Sequence, residues 1–304
     1  MEIRQLETFV CVARNLSFSR AAEEVNLSQP TISTHISSLE DYLGVQLLVR
    51  NTKEVSITRA GEDFLIVAQK MLSIRDQALH DVKCNEYNAC GNISILSSTI
   101  PAQHLLPELS AAFQEQYPNV IFRVEHADSR TVEQSMGAFR YDFGFMGTAP
   151  DDNRFVHYPV CEDELVLVVP NDTAISNMSI HEGFAGFITE VPFITRGSGS
   201  GTRAEIESIF SKIGVDVRKL RIAAYFSDNH SILNAVSKGM GVSLISKVAA
   251  ALYAQAGLLK AIDLDSSLFS RQIYIVHNKE LFLSPIQQLF CDHARNFYRN
   301  GGGH

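Results

Sequence analysis

The sequence predicts a two-part chain: an N-terminal all-α winged helix-turn-helix with a long following helix, then a C-terminal α/β domain of two lobes. Three observations predict it. Short helical patterns joined by tight turns fill the first 60 residues, an apolar stripe at helical spacing runs from 58 to 82, and strand and helix patterns alternate beyond residue 90. At 304 residues the chain suits two or three domains. Its 45% hydrophobic and 20% charged residues are those of an ordinary globular protein. Met1, Glu2, Ile3, Arg4 and Gln5 bring charge at once with no apolar run behind them. No stretch approaches the ~18 apolar residues of a membrane span, so a cytoplasmic location without a membrane partner is expected.

The elements follow in order. Leu6, Phe9, Val10 and Ala13 set a helix over 4–14. Ser17 caps a short helix at 18–25, in which Ala21 and Ala22 permit close packing, and Asn26 with Leu27 makes the turn. Ser28 is an N-cap and Pro30 falls in the first turn of the next helix, where its missing N–H costs nothing. That helix runs to about 42 with Ile32, Ile36 and Leu39 inward and Gln29, Thr31, Ser33, Thr34, His35 and Ser38 outward. Two short apolar runs, 47–50 and 55–58, flank Asn51, Thr52 and Lys53 as a small hairpin, or wing. In the long helix, Leu65, Ala68, Leu72, Leu79 and Val82 keep a/d-like spacing, widened by Phe64, Met71 and Ala78. A helix cannot bury such a stripe alone, so a second copy is expected to cover it.

The pattern breaks at 86–91. Beyond it, strands are expected at 93–96, 120–125, 142–146, 164–169, 192–195, 220–226, 242–245 and 272–276, with helices at 102–116, 203–213, 229–238 and 285–298. This alternation predicts mainly parallel sheets, and about 210 residues suit two lobes with a cleft between them.

The unit from 17 to 42 has the parts of a helix-turn-helix, and its open face carries short hydrogen-bonding side chains that can meet base edges and phosphates. The candidate DNA-contact residues are Ser28, Gln29, Pro30, Thr31, Ser33, Thr34 and His35, with Arg50 and Lys53 of the wing as phosphate anchors and Arg59 nearby. A solvent-facing helix in some other bundle is the competing reading of these residues alone. The net charge of −8, with nine Lys/Arg against twelve Asp/Glu in residues 1–90, puts the burden on local arrangement rather than the summed field.

A second constellation lies in two hydroxyl-rich loops. Ser97, Ser98 and Thr99 follow one predicted strand, and the run from Arg196 to Arg203 follows another; both precede helices. Ends of strands that are also helix starts are where open α/β sheets hold small anions. The candidate ligand residues are Ser97, Ser98, Thr99, Ser198, Gly199, Ser200, Gly201, Thr202 and Arg203, with Arg196 either adding charge from the rim or merely solvated. The hydroxyls serve equally as helix caps and the glycines as a flexible surface loop. Gly197, Gly199 and Gly201 do not make GxGxxG, and no Lys-Ser/Thr follows, which disfavours nucleotide binding. The ten histidines show no HExxH and the five cysteines no CxxC, so no metal or cofactor is expected. No nucleophile elbow appears and no enzymatic activity is expected. Cys84 and Cys90 flank the break and leave a thiol redox switch as an alternative.

Ser17, Phe18, Ser19, Ala21 and Ala22, then the run from Leu27 to Ser33, then Leu39, Glu40, Leu43, Gly44, Val45, Leu47, Leu48 and Arg50, and finally Thr58, Ala60 and Gly61, resemble in order and spacing the DNA-binding domain of LysR-type transcriptional regulators. The resemblance implies that Gln29, Pro30, Thr31 and Ser33 begin a recognition helix, Arg50 opens the wing, and residues 59–85 form a dimerising linker helix. His35 and Thr52 depart toward a less basic surface. The C-terminal part is similar to the type II periplasmic-binding-protein fold that serves these regulators as effector domain. Ser98, Thr99, Ile100 and Pro101, with Asp163 to Val166 and Gly199 to Arg203, resemble the branch that regulates sulfur assimilation and selenium metabolism, though Ile100 stands where sulfate-sensing relatives have a hydroxyl. The resemblance implies a DNA-binding domain at 1–60, a linker and hinge at 61–90, and an effector domain at 91–300. Within the last, lobe 1 is about 91–160 and 268–300, and lobe 2 about 161–267. It further implies promoter double-stranded DNA and a small anionic effector, an oxyanion or a carboxylated or sulfur metabolite, as partners, with a homodimer through the linker helix and a homotetramer beyond it. A solute-binding protein without DNA function is the rival.

Overall fold

In a computed structural model of the chain, the described residues are 1–50, 55–83, 90–137, 141–171, 180–281 and 283–300. Two compact units divide it: Met1–Asn88 with Glu280–Pro285, and Ala89–Lys279 with Ile286–His304.

The first unit opens with α1 (Ile3–Asn15), α2 (Phe18–Glu24) and α3 (Gln29–Leu43). Ser17 caps α2 by accepting from Arg20 N, and Ser28 caps α3 by accepting from Thr31 N. Leu6, Phe9, Val12, Ala21, Ile32, Ile36 and Leu39 close a shared core. Gly44, at φ 71°, ends α3 in a conformation that a side chain would strain. The wing strands β1 (Leu48–Arg50) and β2 (Val55–Ile57) then pair antiparallel, and α4 (Arg59–Lys83) follows.

The stripe on α4 is not all available to a partner. Phe64, Leu65, Ala68 and Leu72 pack on the unit's own core, with the Phe64 ring centroid 5.5 Å from that of Phe9. The exposed apolar face is instead Val67, Met71 and Ile74. Leu72, part of the stripe that a second copy is expected to cover, is half-buried and also packs on the unit's own core, because one helix with apolar residues on two adjacent faces serves the local core as well. The side chains of Leu79 and Val82 lie outside the described residues.

The second unit runs β3 (Cys90–Ser97), a π-helical turn at Pro101–Leu105, α5 (Leu106–Gln116), β4 (Asn119–His126), α6 (Ser129–Met136), β5 (Phe143–Met146) and β6 (Phe155–Pro170). It continues through α7 (Ile180–Glu190), β7 (Pro192–Arg196), α8 (Gly201–Lys212), β8 (Arg221–Phe226), α9 (Asn229–Ser237), β9 (Ser243–Ser246), α10 (Lys247–Gln255), β10 (Leu259–Ile262), β11 (Ser270–Asn278) and α11 (Pro285–Phe297). Among the described residues one sheet runs in the order β10-β6-β11-β5-β3-β4, with β9 also paired to β6. Parallel pairing, expected to predominate, joins β3 to β4 and β5, and β7 to β8. The remaining pairs of this unit are antiparallel: β11 returns between β5 and β6, and the end of β6 runs against β9 and β10.

β6 is the strand that makes two lobes from one chain. Its first part pairs with β11, from Phe155 opposite Asn278 to Glu164 opposite Ser270, and its last part pairs with β9 and β10. Apolar cores form on either side: Leu96, Val132, Met146 and Val276 in one lobe, and Leu167, Ile188, Phe193, Ile209 and Phe210 in the other. Two backbones, β6 and β11, therefore connect the lobes.

Candidate functional site

On α3, Ser28, Gln29, Pro30 and Thr34 are exposed, and Thr31 and Ser33 are half-buried at the edges of that face. Ser28 and Thr31 share a hydroxyl contact of 2.8 Å, and Thr34 Oγ1 donates back to Pro30 O at 3.0 Å. The outward side chains are thus short, polar and held close to the helix. His35 is different. It is half-buried, and its Nδ1 lies 3.0 Å from Oγ1 of the buried Thr8 on α1, so one ring nitrogen is committed to holding two helices together. Arg50 stands in β1 with its side chain outside the described residues, and Lys53 lies outside them altogether.

Two features that sequence reasoning missed place the wing. Glu40 Oε1 accepts from Leu47 N at 2.8 Å and Leu48 N at 3.1 Å, tying the end of α3 to β1. Gly61 permits α4 to start against the same corner, since a Cβ there would sit 2.1 Å from Leu47 O. Thr58 completes the joint by donating to Gln46 O and accepting from Gly61 N at 2.9 Å.

In the second unit, the two hydroxyl-rich loops do meet. Ser98, Thr99, Ser200, Gly201 and Thr202 share a cavity wall with Ile100, Asp128, Ser129, Arg196 and Arg271. The enclosed space is about 10 Å³, room for roughly one water. Ser97 is fully buried beneath it, donating to Ser98 O at 3.0 Å. Ser198 is exposed and Gly199 half-buried; neither lines the cavity. Arg203 also turns away. Its Nε donates to Glu207 at 2.7 Å, its guanidinium lies over Tyr225, and it lines a separate 220 Å³ pocket of lobe 2.

The loop at 199–201 comes close because it carries glycine. A Cβ at Gly201 would lie 2.5 Å from Ser129 Oγ, and one at Gly199 would lie 3.2 Å from Asp128 Oδ2 at a φ of 93°. Ser200 caps α8 by accepting from Arg203 N, satisfying one of the first-turn N–H groups that lack intrahelical partners.

Two buried arginines face this cavity in different electrostatic states. Arg271 donates from Nε to Asp163 Oδ2 at 2.9 Å, pairs with it through Nη2 at 2.8 Å, and gives Nη1 to Thr202 Oγ1 at 2.9 Å. Ser246 donates to the other Asp163 oxygen, so this charge is matched. Arg196 is 7% exposed and was expected only at a rim. It donates to Asn229 Oδ1 at 2.9 Å and to Thr99 Oγ1 at 3.4 Å, while Nε has no partner. No carboxylate lies within 4 Å of it among the described residues. Burial pulls its pKa below the ordinary value; Asp228 opposes that, Arg271 adds to it, and Asp128 opposes it. Thr99 also contacts His126 Nε2 at 3.0 Å.

The remaining candidates are quieter. Cys11, Cys161 and Cys291 are free thiols whose pKa burial raises, to about 12 at Cys161 and about 11 at Cys291, so none is a ready thiolate. Cys90 is disulfide-bonded, and Cys84 lies outside the described residues. Among the described residues, no helix is long and apolar enough to cross a membrane.

Residues 3–62 match the bacterial regulatory helix-turn-helix proteins of the lysR family, and residues 88–299 match the LysR substrate binding domain. The HTH-type transcriptional regulator MJ0300 of Methanocaldococcus jannaschii is 29% identical, covering 91% of this chain and 93% of its own. The RuBisCO operon transcriptional regulator of Allochromatium vinosum is 28% identical over 95% and 94%. CysL of Bacillus subtilis is 25% identical over 93% and 95%. Full-length OxyR from Pseudomonas aeruginosa shares the fold at a TM-score of 0.75 and 19% identity, covering 97% of this chain and 95% of that one. CbnR in complex with its target DNA scores 0.64 at 23% identity, over 97% and 99%. The effector binding domain of QuiR with shikimate scores 0.61 at 19%, over 70% and 99%. The chain belongs to the LysR family: it is a transcriptional regulator that joins a helix-turn-helix to an effector-binding domain.

Proposed function

We propose that the chain reads promoter DNA with the open face of α3 and binds a small anion between its C-terminal lobes, and that the anion alters promoter binding. One observation carries the effector assignment: Arg196 is a buried cation with an unpartnered Nε and no carboxylate in ion-pair reach among the described residues. An uncompensated buried charge is costly, and an anionic ligand is the natural complement. Ser98, Thr99, Ser200, Gly201 and Thr202 supply neutral hydroxyls and N–H groups around it, while Ser97, Ser198, Gly199 and Arg203 shape the loops. Shikimate in QuiR is a carboxylate, which supports a carboxylated metabolite. Relatives of nearly equal identity carry different names, from the RuBisCO operon regulator to CysL, so a sulfur metabolite rests on the motifs near 98–101 and 199–203.

For DNA, Gln29, Pro30, Thr31, Ser33 and Thr34 face bases, Ser28 and the first turn of α3 face a phosphate, and Arg50 and Lys53 anchor the backbone. His35 acts from behind, through its contact with Thr8. Residues 1–60 are the DNA-binding domain, 61–90 the linker and hinge, and 91–300 the effector domain. Two copies pair through α4 and dimers join as tetramers, in the cytoplasm. The cleft serves regulation and not catalysis.

Thermal melting of the full chain against sulfate, phosphate and small mono- and dicarboxylates tests the cleft. A ligand at 100 times its Kd adds about 2.7 kcal/mol, and Arg196→Gln should lose that response. An Arg196→Gln protein that responds as wild type does would remove the assignment. For α3, Thr31→Ala should weaken an operator by about 1–3 kcal/mol and random DNA much less. Equal losses on both would show that Thr31 reads no base.

The disulfide at Cys90 favours a second input. Dithiothreitol should then change promoter affinity in wild type but not in Cys90→Ser, and identical behaviour of the two would exclude it.

A further inference from the structure

The cavity lining carries one cation and one carboxylate that take part in no ion pair among the described residues. Arg196 is the positive one. The negative one is Asp128, half-buried in the same wall at the start of α6. Its Oδ1 accepts from Thr131 N at 2.8 Å as a helix cap, and Oδ2 faces the Gly199 backbone with no cation within 4 Å among the described residues. Asp128 and Arg196 interact through space without forming an ion pair. Of the other charges nearby, one is matched and one stands outside the cavity lining. Arg271 is matched by Asp163, and Asp228 caps α9 through Ser231 N and Oγ at 2.8 Å each.

We infer that the effector is a small zwitterion, an α-amino acid or close derivative, with its carboxylate on Arg196 and its ammonium on Asp128. This rests on the anion assignment above and narrows it. With Arg271 neutralised by Asp163 behind the wall, the lining leaves one charge of each sign, held apart, so a ligand with the same separation satisfies both. A simple oxyanion would satisfy Arg196 and be repelled by Asp128. Ile100, 2% exposed, lines the wall without a side-chain donor and so offers nothing to the oxygens of a sulfate. Gly199 and Gly201 bring the loop down onto Asp128 and Ser129, so the carboxylate is half-buried beside it and a cationic partner there would be favoured. The present space holds one water, so the ligand is received only with the lobes further apart than they stand here.

The test is thermal melting and calorimetry of the full chain with the L-α-amino acids, each beside its 2-hydroxy and des-amino analogues, and with sulfate. At least one amino acid should bind roughly tenfold or more tightly than its two analogues. Asp128→Asn keeps the helix cap, since asparagine caps as well as aspartate, and should bring the three within about threefold. Arg196→Gln should lose all of them. Sulfate or a plain acid binding more tightly than every amino acid would overturn the zwitterion and leave the anion assignment standing. So would an undiminished preference in Asp128→Asn, or silence from every amino acid. Wild-type binding by Arg196→Gln would overturn both.

Discussion

Replacing Arg196 with methionine should stabilise the ligand-free protein, or leave it unchanged, while removing its response to the effector. The side chain is 7% exposed and its Nε has no partner. Removing the charge relieves a desolvation penalty of several kcal/mol and one unsatisfied donor of about 1–3 kcal/mol. Opposing this are the hydrogen bonds to Asn229 at 2.9 Å and to Thr99 at 3.4 Å. A bond from a charged donor contributes about 1.5–3 kcal/mol, and the second is long enough to count for less. Asn229 would also be left with both ends free, because its Nδ2 already lacks a partner. The balance is roughly 0–2 kcal/mol in favour of methionine, or a few degrees in Tm at about 2–4 °C per kcal/mol. Melts of wild type and variant, with and without saturating ligand, read both quantities. A variant destabilised by more than about 2 kcal/mol that still gains stability from the ligand would show that Arg196 is structural and that the anion sits elsewhere.

Met71→Asp should break the assembly, because it sets a carboxylate among the exposed apolar residues Val67, Met71 and Ile74, a penalty of several kcal/mol if a second copy covers them. Leu72→Asp should instead lower the melting point of the first unit, and a Met71→Asp protein that sediments like wild type would move the interface off this face. Gly61→Ala should cost about 1–3 kcal/mol in urea unfolding, since its Cβ meets Leu47 O at 2.1 Å; a neutral outcome would contradict the corner between wing and α4. Burial lowers the pKa of His104, with Asp163 opposing, and those of His277 and His293, with backbone hydrogen bonds opposing. All three are neutral in both states well above pH 6.5, so the unfolded chain takes up more protons as pH falls through 6.5 and stability should drop from there downward. Asp142, raised by burial, works the other way, favouring the folded state at low pH and losing that contribution as pH rises. A urea midpoint that is flat or rising between pH 7.5 and 5.5 would refute the dominance of the histidines.

Local signals carried the first unit almost whole. Ser17, Ser28 and Pro30 are caps and first-turn residues whose effect is complete within four positions, and the observed helix bounds follow them. The second unit was harder for a physical reason. In β6, His157, Tyr158, Pro159, Cys161, Glu162 and Asp163 interrupt the apolar run, so only the last part of a 16-residue strand was legible. Its length depends on β11, more than 100 residues away, whose ladder holds those polar residues extended. The helix α6 buries Ser129, Val132 and Met136 at i, i+3 and i+7, but only two of its eight residues are apolar, and its Asp128 cap went unread. Reading hydroxyls and glycines near helix starts found five of the ten cavity-lining residues. The charges that distinguish the ligand were beyond its reach, because whether Arg196 is paired depends on where Asp128, Asp163 and Asp228 stand in space.

The two arginines of the cleft show why pairing, more than identity, separates structure from reception. Arg271 and Asp163 stand opposite each other in the ladder of β11 and β6, the two strands that connect the lobes. A buried pair that is fully hydrogen-bonded resists separation, since breaking it would leave two uncompensated charges. The crossing is therefore stiff, and Thr202 fastens the start of α8 to it through Arg271 Nη1. Arg196 ends β7, which pairs with β8 in a separate sheet, and has no such counterpart, so its energy depends on what occupies the cleft. A ligand shifts the lobes only by its differential affinity for their open and closed arrangements. Arg271 is satisfied within the protein and contributes little to that difference. Arg196 and Asp128, drawn from β7 and from the start of α6, gain a partner only when a ligand bridges them with the lobes together. Closing the cleft on its effector is thus driven by the charges that the empty fold leaves unmatched.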